Sequence, residues 1–145
     1  MKKYTLVPYK SGDHDSYIKC QMDAYEKYII EYFGTCDMSV MEEHLMQLQS
    51  DLFKIVVEGK TAGYVYYNEE ADKIVVDVFT LLPEFRGKGL GTLILQDFIE
   101  TANRLDKPIV LDTFKSNPAK RFYIRNGFSI VDETYSHYIL RYGYY

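Results

Sequence analysis

From Leu81 to Thr92 the chain reads Leu-Leu-Pro-Glu-Phe-Arg-Gly-Lys-Gly-Leu-Gly-Thr, and the chemistry this stretch can do is anion binding. Glycines at alternate positions (Gly87, Gly89 and Gly91) leave successive backbone N–H groups uncovered by side chains. An apolar run, Ile74 to Leu82, leads in, and an amphipathic run, Leu90 to Leu105, leads out. That order predicts a buried strand, a tight turn and a helix. The N–H groups of the turn, with those of Leu90 and Thr92, then sit unpaired at a helix start with the positive end of the dipole behind them. Such a turn holds phosphate or pyrophosphate, and Arg86 and Lys88 add mobile positive charge. The spacing is not that of a P-loop, and Thr92 and Ile94 stand where a dinucleotide fingerprint would place its third glycine. A plain structural turn is the alternative on this stretch alone.

The elements that must position this turn can be read in order. Tyr4 to Tyr9 predicts a short strand ending at Pro8 and the Ser11-Gly12-Asp13 turn. A helix follows from Asp13–Ser16, with Ile18, Met22, Tyr25, Ile29 and Tyr32 as its apolar stripe and Gly34 as its stop. Phe33 to Asp37 is a loop. Ser39-Val40-Met41-Glu42 reads as a capping box opening a second helix, with Leu45 and Leu48 facing inward. Leu52 to Glu58 and Thr61 to Tyr67 predict a hairpin turned at Gly59-Lys60, and Ile74 to Leu82 a further strand. Leu90, Leu93, Ile94, Phe98, Ala102 and Leu105 line one face of the helix after the turn. Pro108 opens a strand from Ile109 to Phe114, Asn117-Pro118 starts a short helix to about Arg125, and Phe128–Thr134 with His137–Tyr142 closes the chain as a hairpin.

The resulting fold class is α/β in the α+β sense: a mixed, largely antiparallel seven-stranded sheet flanked by four helices, forming a single domain over residues 1–145. The 145 residues suffice for one sizeable core. A net charge of −4 argues against nucleic acid as a partner, since such binders present a basic face. No run reaches the length of a membrane span, and Tyr4 to Ser11 is too polar to continue Met1-Lys2-Lys3 as a signal peptide. Cys20 and Cys36 form neither metal spacing nor a disulfide framework, which suits a reducing cytoplasm. His14, His44 and His137 lie on distant elements, so no metal is expected.

Two motifs carry a resemblance. Arg-x-x-Gly-x-Gly at Arg86, Gly89 and Gly91, behind a strand ending in Pro-Glu, resembles the coenzyme A signature of the GNAT N-acetyltransferase superfamily. Downstream, Asn117-Pro118-Ala119-Lys120-Arg121-Phe122-Tyr123 followed by Asn126-Gly127-Phe128 resembles that superfamily's fourth-helix motif. The order of elements is similar too. The likeness is strong from Ile74 to Phe128 and topological before Leu52. One departure is that Asn117 stands six residues before Tyr123, where seven is commoner, so its side chain either caps the helix or touches the cofactor.

The resemblance implies the acyl-CoA N-acyltransferase (GNAT) fold and an acetyl-CoA-dependent transfer to a primary amine of a small molecule or peptide, by direct attack in a ternary complex. It assigns cofactor binding to Phe79, Thr80 and Leu81 through main-chain atoms, to the turn residues Arg86, Gly87, Lys88, Gly89, Leu90, Gly91 and Thr92, and to Asn117. Tyr123 would be the acid: a phenol of pKa about 10 can hand its proton to the departing thiolate. The opposing reading is an amphipathic tyrosine plugging the sheet, one of 15 in the chain.

A protonated acceptor amine needs a base or a water chain. Asp112 interrupts an apolar strand and stands five residues before Asn117, as the base does in ribosomal-protein N-terminal acetyltransferases. A structural carboxylate is the alternative, and Asp77 shares the ambiguity. Tyr25, Tyr28, Glu31, Tyr32 and Phe33 are candidates for an aromatic and acidic acceptor pocket, with helix core as the other reading. The Ala24 to Gly34 segment is similar to a bacterial subgroup of these enzymes with no assigned substrate. Neither cysteine has an activating base beside it, which disfavours an acetyl-cysteine intermediate. The C-terminal Tyr142-Gly143-Tyr144-Tyr145 either covers a homodimer interface or lies on the surface. A non-catalytic acyl-CoA-binding module is the rival function, and protein N-terminal acetylation is a variant of the enzymatic one.

Overall fold

Among the described residues seven strands form one sheet, and four α-helices cover both its faces. The computed structural model describes residues 4–143. In chain order the elements are β1 (Thr5–Pro8), α1 (His14–Phe33), α2 (Met38–Leu48), β2 (Leu52–Val57), β3 (Lys60–Glu69), β4 (Ile74–Leu81), α3 (Leu90–Leu105), β5 (Ile109–Phe114), α4 (Ala119–Arg125), β6 (Ser129–Glu133) and β7 (His137–Tyr142). The sheet order is β1-β2-β3-β4-β5-β7-β6. Every neighbouring pair is antiparallel except β4 with β5. Among the described residues no helix is long and apolar enough to cross a membrane. Tyr144 and Tyr145 lie outside the described residues, and with them part of the C-terminal surface named above.

Helix starts differ in detail from the sequence expectation. The second helix is capped by Asp37, whose Oδ1 accepts the Ser39 N–H at 3.0 Å, so α2 begins at Met38 and the Ser39 capping box does not form. Asp37 precedes the pattern by two residues, and a carboxylate serves as a cap as well as a hydroxyl does. Asn117 Oδ1 accepts the Ala119 N–H at 2.9 Å, which starts α4 one residue later than the Pro118 signal suggests.

Two apolar cores result. On one face α3 and α4 cover the sheet through Ile94, Leu95, Phe98 and Tyr123 against Ile74, Val76 and Leu111. On the other, α1 and α2 pack Tyr17, Ile18, Met41 and Leu45 against Leu52, Tyr64 and Val78. The α1 stripe is rotated from the one expected: Tyr17, Ile18, Gln21 and Tyr28 are buried, while Met22, Tyr25, Ile29 and Tyr32 are only half-buried. Gln21 can be buried because its Oε1 accepts the Thr80 hydroxyl at 2.9 Å.

One irregularity in β4 shapes everything around it. Opposite β3, Val65 faces Phe79 and Tyr66 faces Asp77, so Val78 is an extra residue without a partner. It stands at φ +49°, a strained conformation for a β-branched residue, and its N–H is taken by its neighbour's Asp77 Oδ1 at 2.8 Å. This bulge switches faces: Val76 points to the α3 side, Val78 and Thr80 to the α1 side, and Phe79 and Leu81 return to the α3 side. Pairing between β4 and β5 ends at Val75 with Val110, while β5 stays paired to β7 through Phe114. The C-terminal halves of β4 and β5 therefore part, and a gap opens in the sheet.

Beside the gap, β3 and β4 approach unusually closely at Gly63, where a Cβ would lie 1.9 Å from the Thr80 carbonyl oxygen. Only glycine fits without moving the β4 backbone. Gly63→Ala should therefore destabilise the fold by about 1–3 kcal/mol, the usual toll of overpacking, read as a lowered midpoint in chemical denaturation; an unchanged midpoint would show that β4 yields freely here.

Candidate active site

The glycine turn is built as a donor surface. After β4 a single turn of 3-10 helix, Pro83–Phe85, brings the chain to Gly87 and Gly89, whose φ values of +72° and +83° are left-handed and suit glycine. Gly89 precedes α3 with no side-chain cap, and the first helical bond is Leu93 N–H to Gly89 O at 3.0 Å. The amides of Leu90, Gly91 and Thr92 thus precede the hydrogen-bonded ladder, at the positive end of a sixteen-residue helix. A Cβ on Gly91 would meet only Phe122 and Leu81, at 3.7 and 3.8 Å, which places the turn directly against α4 and the end of β4.

Arg86 is turned the other way. Its Nε donates to the Leu81 carbonyl at 2.8 Å, and its Nη2 pairs with Asp23 Oδ2 of α1 at 3.0 Å. Both partners in this ion pair are about half exposed, so it contributes roughly 0.2–1 kcal/mol. Lys88 is exposed beside the turn.

The gap between β4 and β5 opens into a cavity of about 370 Å³ under α1 and α2. Asp77 of β4 and Asp112 of β5 face it, with His44 of α2 and His137 of β7 at its edges. Tyr25, Ile29, Phe33, Val40 and Met41 form the helical wall, and Phe114 the opposite one. From the α4 side come Asn117, Ala119 and Tyr123, and from β4 comes Phe79. The turn and the cavity are thus joined across one helix: Phe122 touches the turn while its neighbour Tyr123 reaches the cavity.

The electrostatics follow from this enclosure. Tyr123 is 7% exposed, and its hydroxyl meets no hydrogen-bond partner among the described residues. Burial, reinforced by the charges of Asp112 and Asp77, pushes its phenol well above the ordinary tyrosine value, so the proton stays on oxygen at neutral pH. Tyr25 is raised for the same reason, burial first and then Tyr123 and the two carboxylates. Desolvation and then the nearby Asp77 charge also raise Asp112. Its carboxylate opens to the cavity and pairs with no side chain among the described residues. Asp77, by contrast, is held by His44 Nε2 at 3.2 Å. That hydrogen bond lifts the His44 imidazole above its ordinary value, against the opposing pull of desolvation.

The cavity thus gathers Tyr123, Asp112, Phe79, Asn117, Tyr25 and Phe33. Thr80 is buried in a hydrogen bond to Gln21, and Leu81 packs beside the turn, so at these two positions only main-chain atoms are available. Asn117 both caps α4 and lines the cavity. Tyr28 and Tyr32 lie behind Phe114, stacked on its ring at 5.5 and 5.9 Å, and do not line the cavity. Glu31 is exposed and accepts the Ser116 hydroxyl at 2.9 Å. The acidic part of the pocket is therefore supplied by strands, not by α1.

Two histidines that look scattered along the chain meet here. Their placement had one sequence signal: His44 stands three residues after Met41 on the inward stripe of α2. His137 stacks on Phe114 with centroids 4.1 Å apart, a contact made only by the β5–β7 register. Among the described residues no group of three or more His, Cys, Asp or Glu side chains is arranged to hold a metal. Cys20 is buried with its sulfur 3.6 Å from the Thr80 hydroxyl, and burial raises its thiol.

Comparison with known proteins places these features in context. The family model described as acetyltransferase (GNAT) domain matches residues 49–130. No curated protein sequence matches the chain. Among solved structures, the PaiA N-acetyltransferase from Thermoplasma acidophilum in complex with coenzyme A superposes with a TM-score of 0.68 at 18% identity, covering 99% of this chain and 100% of that one. A GNAT family acetyltransferase from Elizabethkingia anophelis with acetyl-CoA bound gives 0.69 at 15% identity, with the same coverage of 99% and 100%. Naa50 from Arabidopsis thaliana, in complex with the bisubstrate analogue CoA-Ac-MVNAL, gives 0.63 at 13%, again over 99% and 100%. At these identities the likeness is one of fold.

The His44–Asp77 pair sets a pH dependence of stability. Because the folded state raises the imidazole pKa, the pair stabilises fully below the unfolded value of about 6.5 and loses that contribution as pH rises through the folded one. His44→Gln should melt below the parent just under that pH, with the difference closing at alkaline pH in a thermal-shift series. A pH-independent difference would mean that charge plays no part in the pair.

Proposed function

The chain belongs to the acetyltransferase (GNAT) domain family, and from that premise we propose that it moves the acetyl group of acetyl-CoA to a primary amine by direct attack in a ternary complex. One observation carries the reading. A protonated buried phenol and an unpaired carboxylate face the same gap between β4 and β5, one helix away from an uncapped α3 N-terminus.

The residues fit acetyl-CoA on their own evidence. Left-handed glycines and uncapped amides from Gly87 to Thr92 suit a pyrophosphate, and the parted strands leave β4 main-chain groups near Phe79 to Leu81 for the pantetheine arm. The weak Arg86–Asp23 pair lets the guanidinium leave for a phosphate, and Lys88 is placed to help. Bound acetyl-CoA supplies the activated acyl group as a thioester.

The rest is done by this chain's side chains. The Asp112 carboxylate takes a proton from the acceptor ammonium, which frees the nitrogen lone pair. That lone pair forms the C–N bond at the acyl carbon as the C–S bond breaks, and a main-chain N–H in the Phe79 to Leu81 segment steadies the carbonyl oxygen. Tyr123 gives its proton to the departing sulfur and recovers one from the amine nitrogen. The phenol carries its proton at pH 7, so it meets the departing sulfur as a hydrogen-bond and proton donor. Two free thiols, Cys20 and Cys36, support placing the activity in the cytoplasm.

Tyr123→Phe should lower kcat by roughly 100-fold or more while the KM for acetyl-CoA stays near the parent value; an unchanged kcat removes the acid role. In the parent enzyme the rate should fall on the acid side as Asp112 protonates through its raised pKa. Asp112→Asn should abolish that limb and leave a slow, flatter profile. Coenzyme A at about 100 times its Kd should stabilise the fold by about 2.7 kcal/mol, visible as a higher melting temperature. No shift at saturating concentrations would defeat the cofactor assignment.

A further inference from the structure

The cavity has a charge pattern that selects among amines. Its polar floor is acidic, with Asp77 engaged by His44 and Asp112 unpaired among the described residues. Among the described residues no lysine or arginine lines it. Its walls toward the mouth are apolar: Ile29, Val40 and Met41 on one side, Phe114 on the other. Two apolar residues at the opening are conspicuously uncovered, Phe33 at 57% exposed and Val40 at 44%. Tyr135, 73% exposed, extends the apolar rim by an edge contact with Phe33 at 6.2 Å between centroids.

We propose that the acceptor is an arylalkyl or alkyl primary amine: one ammonium seated on Asp112 and an uncharged apolar stem lying between Phe33, Val40 and Phe114. This rests on the acetyl-transfer reading and specifies its acceptor. Three features exclude the competing classes. An acceptor carboxylate or phosphate would find two carboxylates at the floor and an imidazole, His44, already engaged by one of them, which disfavours amino acids. The second ammonium of a polyamine would meet Phe33 and Val40 at the opening, where it gains no counter-charge. The hydroxyls of an amino sugar would lose their water against the same walls without replacement. An aromatic stem gains from both sides, through ring contacts with Phe33 and Phe114 and through burial of the uncovered rim. The volume of about 370 Å³ lies at the low end for small-molecule sites, which suits a short stem.

The test compares acceptors on the intact chain with acetyl-CoA, following thiol release with 2-phenylethylamine, hexylamine, spermidine and L-glutamate. The expected kcat/KM for 2-phenylethylamine exceeds that for spermidine and glutamate by about 10-fold or more, the scale set by matched apolar contacts. Spermidine or glutamate equalling it overturns the proposal. Phe33→Ala should raise the KM for 2-phenylethylamine with kcat kept, and Val40→Glu should shift preference toward spermidine; both sites are exposed, so neither change threatens folding. Calorimetry separates this inference from its premise, because 2-phenylethylamine binding to the coenzyme A-loaded protein should weaken about 10-fold in Asp112→Asn. A chain that acetylates spermidine and ignores 2-phenylethylamine keeps acyl transfer and loses this acceptor class. A chain that binds 2-phenylethylamine through Asp112 but consumes no acetyl-CoA keeps the cation site and loses acyl transfer.

Discussion

Everything in this molecule depends on two neighbouring parallel strands that stop pairing after two residues. β4 and β5 share only the Ile74–Ile109 and Val75–Val110 positions, because beyond them the Val78 bulge redirects β4. A buried sheet tolerates unpaired backbone poorly, so such a break survives only where other contacts hold both sides. β3 holds one side through Gly63, which lets the two backbones close to a distance no side chain permits. β7 holds the other, pairing with β5 along its whole length. Strain at one valine is thus converted into a permanent slot through the middle of the sheet.

That slot explains the electrostatics. Carboxylates at Asp77 and Asp112 project from the two parted strands, where paired neighbours would otherwise leave no room for charge. Partial burial, and then repulsion from Asp77, raise the Asp112 carboxyl, while burial keeps the nearby phenol protonated. Enclosure thus pushes the carboxyl toward holding a proton and the phenol toward keeping its own.

The sequence revealed most where local rules are strict. Alternating glycines before an amphipathic run announce the turn, because left-handed φ and uncovered amides have few other residues to use. The order of strands and helices is legible from periodicity, and the offset of Tyr123 to Gly127-Phe128 singles out a residue that lines the cavity. The bulge is not legible, since Ile74 to Leu81 reads as one strand in which Asp77 marks a polar position but not an extra residue. A valine at positive φ leaves no compositional trace. The helical wall was only partly readable: Tyr25 and Phe33 line the cavity, whereas Tyr28 and Tyr32 were captured by Phe114, a partner 80 residues or more away in the chain. His44 and His137 converge through tertiary register, which no short window contains. Arg86 shows the same limit, because Asp23 lies on an element that its motif does not mention.

The position of β7 between β5 and β6 has a consequence for how the molecule is made. As the polypeptide leaves the ribosome, the first four strands and their helices can assemble while β5 still presents a bare edge. His137 and the hydrogen bonds that fix the Asp112 strand arrive only with the last strand described here. Until then the nascent chain carries an open, sticky border that can pair with another chain. Its cavity is consequently completed only after the first four strands are in place, and a ribosome that stalls before β7 releases a product whose sheet is well begun and whose acidic floor is unfinished.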